Sequence, residues 1–480
     1  MRMEDKPIIC RYVVRKRNGF YAFLFPDAPY WFVVDNAMSY NLNIKILDMC
    51  NGHNSVNDII NELAKKVPTS VDELSLYVKT FLNTLEKANA IRLSTDLKIE
   101  PVIETKELPH LGDVSIGVTS RCNLTCKHCY IGEREQMSDE LKTREIKKFL
   151  KDVVALMGVK KELTLTGGEP FLREDIIEIL DHAVSLGFQK IFVITNGTLL
   201  SRETVLKLSE FNEKFKRSDE EGNKEFAIQV SIDGFKDTHE WVRGKGTWEK
   251  AVEAVKLLKE NKITTIMTMI VHDRNFRDIP KIIQLAKRLK VPVNIESIIP
   301  IGKAKEHGLK VIPANKFIKY FYSNIGDDPE LANILIGNPF STCIVVLRNL
   351  VKLRSCGAGS STVYLHSNGD VYPCPLFQGL PEFMAGNIRE KPFLEIWKNA
   401  PILKELRSLH VDTMNEKCSK CDVRYFCGGG CRADAYVNSG NIKGVPSKCS
   451  SGEYIELVWE SIWLLTRYPH LHAGVTPSKL

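Results

Sequence analysis

From residue 114 onward the chain alternates short runs of aliphatic and β-branched residues with longer segments whose apolar positions recur with a helical period. The runs "VSIGVTS", "ELTLTGG", "IFVITNG", "AIQVSID", "TTIMTMIV" and "VNIESIIP" read as strands. Between them, "LKTREIKKFLKDVVALM", "EDIIEILDHAVSL" and "TWEKAVEAVKLLKEN" read as amphipathic helices. Strands separated by helices make βαβ units and a parallel sheet. Six such units predict an α/β fold, a partial (β/α)6 TIM-type barrel over residues 112–335. In that architecture chemistry sits at the C-terminal ends of the strands. Cys122 onward follows the first strand and Gly167 to Glu169 the second. Asn196 follows the third, and Ser231 and Asp233 end the fourth.

The flanks have other patterns. In residues 1–95, "FYAFLFPDAPYWFVVD" predicts two strands around a Pro-Asp turn, followed by "NLNIKILDMC". "SVNDIINELAKKV" and "SVDELSLYVKTFLNTLEKAN" are helices, the first with a serine cap, and "AIRLS" is a closing strand. Together they suggest a winged-helix-like domain. The polar, proline-bearing segment 96–111 is a linker. Over 336–455 turns, glycines and cysteines replace the βα rhythm, and "TVYLHSNGDVYPC" reads as a hairpin with an Asn-Gly turn. Residues 456–480 begin as an amphipathic helix and end as a tail.

Length and charge narrow the class. A chain of 480 residues implies several domains. Its net charge of +7 is mild for that length, predicts no nucleic-acid binding, and suits an acidic peptide partner. The N-terminus has no signal-peptide pattern, and no apolar run is long enough to span a membrane. The expected location is the cytoplasm, where clustered cysteines serve as metal ligands or catalysts rather than disulfides. Of thirteen cysteines only Cys10 and Cys50 precede position 100, and all the others except Cys343 fall into metal-like groups.

Cys122, Cys126 and Cys129 have C-x3-C-x2-C spacing in the loop after the first strand. Three thiolates from one loop can hold three irons of a 4Fe–4S cubane and leave the fourth open to a ligand. A structural zinc site normally closes four ligands, and His128, set between Cys126 and Cys129, is awkwardly placed to complete one. With Tyr130 after the last thiol, "TGGEP" after the second strand and "SIDG" after the fourth, the chain resembles the radical SAM superfamily over roughly residues 112–300. That resemblance implies an open iron that chelates S-adenosylmethionine (SAM), whose reductive cleavage gives a 5′-deoxyadenosyl radical. It implies that Gly167 and Gly168 let backbone approach the ligand and that Glu169 accepts from the methionine ammonium. Ser231 and Asp233 would face the ribose and Tyr130 the adenine. Arg243 would meet the SAM carboxylate, or is a solvated loop arginine; Asn196 supports the site or makes a turn.

A second group, Cys418-x2-Cys421-x5-Cys427-x3-Cys431 with Cys449 beyond, joins Cys356 and Cys374 upstream. Alone, this spacing could fold a zinc ribbon. In this context it resembles the SPASM extension of radical SAM enzymes. The resemblance implies one auxiliary cluster on Cys418, Cys421, Cys427 and Cys449, and another on Cys356, Cys374 and Cys431. It therefore implies three iron–sulfur clusters in all, one binding SAM and two auxiliary. Thr362 stands where many relatives have a further cysteine. The second auxiliary cluster then has an open iron, or Cys343 completes it, or Cys343 is a buried small hydrophobe. Pro375 replaces the aspartate base of sulfatase-maturing relatives, which argues against that activity. The first 95 residues resemble the PqqD-like domain that binds leader peptides by strand addition. Arg11, Arg15, Lys16 and Arg17 could attract an acidic leader, or are a solvated charged hairpin.

The expected function is oxidative cross-linking, thioether or carbon–carbon, of a ribosomally made peptide with a leader, using a flavodoxin or ferredoxin as electron donor. The alternatives are maturation of a whole protein or of a cofactor precursor, and a non-catalytic zinc-stabilised peptide-binding scaffold.

Overall fold

A computed structural model describes residues 1–17, 20–25, 30–34, 37–93, 111–131, 139–218, 224–313, 316 and 356–449, with single positions 455, 459 and 463. The Pro-Asp turn, almost all of the linker, and Cys343 lie outside these residues.

At the N-terminus, β1 (Pro7–Ile9) pairs antiparallel with β5 (Ile91–Leu93), the expected closing strand. β2 (Val13–Arg17), β3 (Phe20–Phe25) and β4 (Tyr30–Val34) form an antiparallel meander. The run of apolar residues in β3 and β4 exists because both faces are covered. Phe23, Phe25, Phe32 and Val34 pack on α1 (Ala37–Met49), α2 (Val56–Ala64) and α3 (Val71–Lys87). Phe23 and Phe32 stack at 4.4 Å, and Phe81 of α3 meets Phe32 edge-on at 5.5 Å. The opposite face, Ala22, Leu24 and Trp31, belongs to the same apolar cluster as Val423, Cys427 and Trp459. Ser55 and Asp58 close a capping box on α2.

The six strands of the barrel are β6 (Leu111–Thr119), β7 (Met157–Gly167), β8 (Lys190–Thr195), β9 (Glu225–Ser231), β10 (Thr264–Val271) and β11 (Val293–Ser297). They pair in sequence order, all parallel. Among the described residues β11 is an edge and does not close onto β6. The intervening helices include α4 (Thr143–Val154), α5 (Ile176–Ser185), α6 (Arg202–Arg217), α7 (Lys236–Arg243), α8 (Thr247–Glu260) and α9 (Ile279–Leu289). α4 shows why these segments are helical: Ile146, Phe149, Leu150 and Val153 bury one stripe.

The C-terminal hairpin is part of the same sheet. β12 (Thr362–Leu365) pairs parallel with β6, Thr362 opposite Asp113, then turns into β13 (Asp370–Tyr372) and β14 (Gly386–Asn387). Gly117 of β6 makes room for it: a Cβ there would lie 2.2 Å from the Tyr364 hydroxyl. Arg389 bonds Asp139 and Glu145 across to α4, and Phe393 meets Phe149 edge-on at 4.9 Å. Ile455, Trp459 and Trp463, helical and four residues apart, pack on the large core. No helix among the described residues is long and apolar enough to cross a membrane.

Asp113 opens a test of the barrel floor. Burial, with Glu162 beside it, pushes its carboxyl up to about 7. A raised carboxyl stabilises the fold below its unfolded value, and that contribution is lost as pH rises toward the folded one. Asp113→Asn should therefore stabilise the apo-protein at pH 8 by on the order of 2 kcal/mol. The gain should shrink steadily from pH 7 to pH 4. Thermal unfolding across that range checks it; a pH-independent difference would remove Asp113 as its source.

Candidate active site

The strand ends β6 to β11 surround a cavity of about 320 Å3. Its wall carries Cys122, Cys126, Cys129, Tyr130, Gly167, Gly168, Ser231 and Arg243, all expected from the sequence. Leu376, two residues past Cys374, closes it from the C-terminal region. The cluster loop is pinned at both ends: Lys127 N donates to Val242 O at 2.9 Å, and Lys303 N to Cys129 O at 3.0 Å. Lys127 also lies over the Trp241 ring, 4.0 Å from its centroid.

Four of the expected residues, Asp233, Glu169, Gly168 and Gly167, have contacts within the chain that shape the site. Asp233 is fully buried behind the wall. Its Oδ1 accepts from Ile270 N at 2.8 Å, while Oδ2 lies 2.7 Å from His128 Nε2 and accepts from Arg243 Nε. Burial works to raise this carboxyl, but Arg243 and His128 hold it well below the ordinary range. Both oxygens have partners within the chain, and Asp233 thereby positions Arg243. Glu169 is also fully buried. It accepts from Thr195 Oγ1 at 2.7 Å, Asn196 N at 2.8 Å and Phe171 N at 3.2 Å, tying the ends of β7 and β8 together. Burial still pushes its carboxyl up. Gly168 is required by the chain itself: a Cβ would stand 1.9 Å from Arg121 O. At Gly167, with φ +129°, it would meet Thr119 O at 2.3 Å.

Arg243 is buried, not solvated, and its guanidinium reaches toward Cys126 Sγ at 3.9 Å. Asn196 both makes the turn and faces the loop. It accepts from Thr198 N at 2.9 Å, donates to Asn123 Oδ1 at 2.9 Å, and lies 3.9 Å from Cys122 Sγ. Sequence reasoning missed Gln229, Thr268 and Glu296, which also face the cavity. The available signal was the strand alternation, which puts them on the face opposite the buried Val230, Met267 and Ile295.

The other thiols divide into two sets. Cys418, Cys421, Cys427 and Cys449 line one cavity with Val411, Val423 and Ile455. Cys356, Cys374 and Cys431 lie within electrostatic reach of one another. Burial pushes Cys421 up to about 11 and Cys431 to about 12, so thiolate formation must accompany metal binding. Among the described residues no three thiol, histidine or carboxylate groups converge on a single-ion site. The donor set, all sulfur and spread around cavities, suits iron–sulfur clusters. Tyr130, half-buried, lies in electrostatic reach of both Cys129 and Cys374 and so bridges the two regions. Arg11, just before β2, pairs with Asp422 at 2.6 Å and Arg15 of β2 lies over Trp459, so both turn toward the second thiol set.

A model of the Radical SAM superfamily matches residues 116–286, and one for an iron–sulfur cluster-binding domain, SPASM, matches 356–422. The AdoMet-dependent heme synthase of Methanosarcina barkeri (strain Fusaro / DSM 804) is 31% identical over 343 residues, covering 68% of this chain and 92% of that one. The antilisterial bacteriocin subtilosin biosynthesis protein AlbA of Bacillus subtilis (strain 168) is 26% identical, covering 81% and 84%. Streptococcus suis SuiB bound to S-adenosylmethionine shares the fold at TM-score 0.53 and 16% identity, over 92% of this chain and 100% of that one. The chain belongs to the radical SAM superfamily, in the branch that carries a SPASM domain. It is a radical SAM enzyme that uses SAM and iron–sulfur clusters.

Proposed function

We propose that the enzyme installs an oxidative cross-link, a thioether or a carbon–carbon bond, in a ribosomally made peptide that carries a leader. One observation carries this reading: the SAM cavity is walled on one side by the Cys122–Cys129 loop and on another by the segment following Cys374. Hydrogen abstraction and removal of the second electron would then occur at one place. The likeness to a bacteriocin biosynthesis protein supports a peptide as substrate.

When bound, the SAM-ligating 4Fe–4S cluster, held by Cys122, Cys126 and Cys129, supplies the 5′-deoxyadenosyl radical. Around it, Arg243 presents a cation fixed by Asp233, Ser231 offers a hydroxyl, and Tyr130 an aromatic face. Cys418, Cys421, Cys427 and Cys449 hold one auxiliary cluster, and Cys356, Cys374 and Cys431 another, giving three. Residues 1–95 act as a PqqD-like, winged-helix-like leader-binding domain, with β2 as the receiving edge; β2 pairs only with β3 among the described residues. The remaining divisions are the linker 96–111, the barrel 112–335, the SPASM domain 336–455 and the tail 456–480. The electron donor is a flavodoxin or ferredoxin, and the location is the cytoplasm.

The test is the intact mass of a short peptide encoded beside the gene, co-expressed anaerobically with the enzyme. A loss of two hydrogens per link is expected, and none with Cys126→Ala. An unchanged mass despite full iron loading and SAM cleavage would move the substrate to a whole protein or a cofactor precursor. The 31% identity to a heme synthase supports the second of these, a haem precursor.

A further inference from the structure

The cavity wall has an acid side that none of the family motifs uses. Side chains alternate along a strand, so Asn294 and Glu296 of β11 point away from the buried Val293 and Ile295. Glu296 lines the cavity and is the only carboxylate that does so among the described residues. Asp233 and Glu169, the two other acids near the site, do not line it. Glu296 is held in place: Asn294 Nδ2 donates to its Oε1 at 2.7 Å. The same cavity is lined by Gln229, Thr268 and Ser297, and Thr268 Oγ1 and Ser297 Oγ are buried with no hydrogen-bond partner among the described residues. Buried polar atoms left without partners mark a place that a ligand completes. β11 is an edge strand of the described sheet, and the cluster loop rises from β6, with four strands, β7 to β10, between them. This polar group and the thiols of the cluster loop thus line the same cavity from different strands.

We propose that Glu296 accepts the proton released by the substrate when the new bond forms. The assignment rests on the peptide-maturase reading and gives it the base that Pro375 cannot provide. In the thioether case a substrate C–H bond breaks and its hydrogen atom goes to the 5′-deoxyadenosyl radical, giving 5′-deoxyadenosine and a carbon radical. The carbon then bonds to the sulfur of a peptide thiol. The S–H bond breaks, its proton goes to the Glu296 carboxylate, and one electron leaves to an iron–sulfur acceptor. Two hydrogens leave the peptide, one as an atom and one as a proton and an electron. A carboxylate in a partly buried wall, oriented by an amide, suits this role, and positioned bases of this kind are worth roughly 10²–10⁴ in rate.

The experiment uses the full-length, anaerobically reconstituted enzyme with SAM and its peptide, and measures 5′-deoxyadenosine and cross-linked peptide in the same samples. Glu296→Gln should lower cross-linking by about 10²-fold or more while 5′-deoxyadenosine falls far less, so that the nucleoside formed per link rises at least about tenfold. Glu296→Asp should restore part of the coupling. The affinity of the peptide for the enzyme, measured without SAM, should change by less than about twofold in Glu296→Gln, on the scale where tenfold is 1.4 kcal/mol. A variant that stays coupled, or loses both products together, overturns the assignment. So does a large loss of peptide affinity, which would make Glu296 a binding anchor. A wild-type enzyme that cleaves SAM and links no peptide sinks the maturase reading, and this assignment with it.

Discussion

Replacing Asp233 by asparagine should unfold the barrel top before it affects anything else. The substitution leaves the buried Arg243 guanidinium without its counter-charge and His128 without its partner. Breaking a buried pair from one side costs about 3–5 kcal/mol, because the surviving charge stays where water cannot reach it. In a domain of this size that corresponds to a fall in Tm of roughly 6–20 °C. Glu→Gln or Asp→Asn changes at exposed ion pairs, such as Glu203 with Lys207, should by contrast move Tm very little. The double variant Asp233→Asn, Arg243→Gln should recover part of the loss, since no unpaired charge remains. Thermal unfolding of the apo-proteins measures both; a single variant as stable as the parent would show that the pair contributes nothing net. SAM cleavage should be lost in both variants, because Arg243 is then either misplaced or neutral.

Gly168→Ala is expected to slow SAM cleavage by on the order of 10²-fold with the fold intact. Gly168 N donates to Thr119 O at 2.7 Å and Glu169 N to Arg121 O at 2.8 Å, so the end of β7 is stapled to the root of the cluster loop. A methyl group at Gly168 would overlap the Arg121 carbonyl, which is backbone and cannot swing aside. Arg121 adjoins Cys122, so the displacement passes directly to a cluster ligand. An error of about 1 Å at a reacting centre costs on the order of 10²-fold in rate. Gly158→Ala is the control, because nothing lies within 4 Å of a Cβ there. SAM affinity and 5′-deoxyadenosine yield, with circular dichroism for the fold, decide the matter. An active Gly168→Ala enzyme would mean that the loop tolerates the shift.

The barrel was legible because its strands and helices obey different periods, and capped stripes such as that of α4 leave little choice. The thiol spacings were legible because metal ligation constrains sequence distance directly. What could not be read was direction. "TGGEP" and "SIDG" announce a site, yet whether Glu169 and Asp233 face the cavity depends on where the strand ends and which amides wait behind it. Helix α1 was missed because its apolar positions form no clean stripe, and its Tyr40 meets rings of another element, Tyr21 stacked on it and Phe23 tilted against it. β2 carries Arg15, Lys16 and Arg17 and reads as surface, but Arg15 and Arg11 meet groups more than 400 positions away. Glu296 was in view as one polar residue in "VNIESIIP"; only the sheet order tells which face is the lumen.

The pairing of β12 with β6 also sets the order in which the molecule can be made. Val114 and Val363 are neighbours in the sheet but 249 positions apart in the chain. The ribosome adds about 5–20 residues per second, so β6 waits roughly 10–50 seconds for its second partner. During that interval an unpaired strand edge, next to the loop that carries Cys122 to Cys129, is open to chaperones, to other chains and to cluster-delivery proteins. Once Tyr364 swings over Gly117 the edge is sealed and the barrel wall is finished. Truncation before residue 362 should therefore leave a nascent chain that aggregates through this edge rather than a smaller working enzyme.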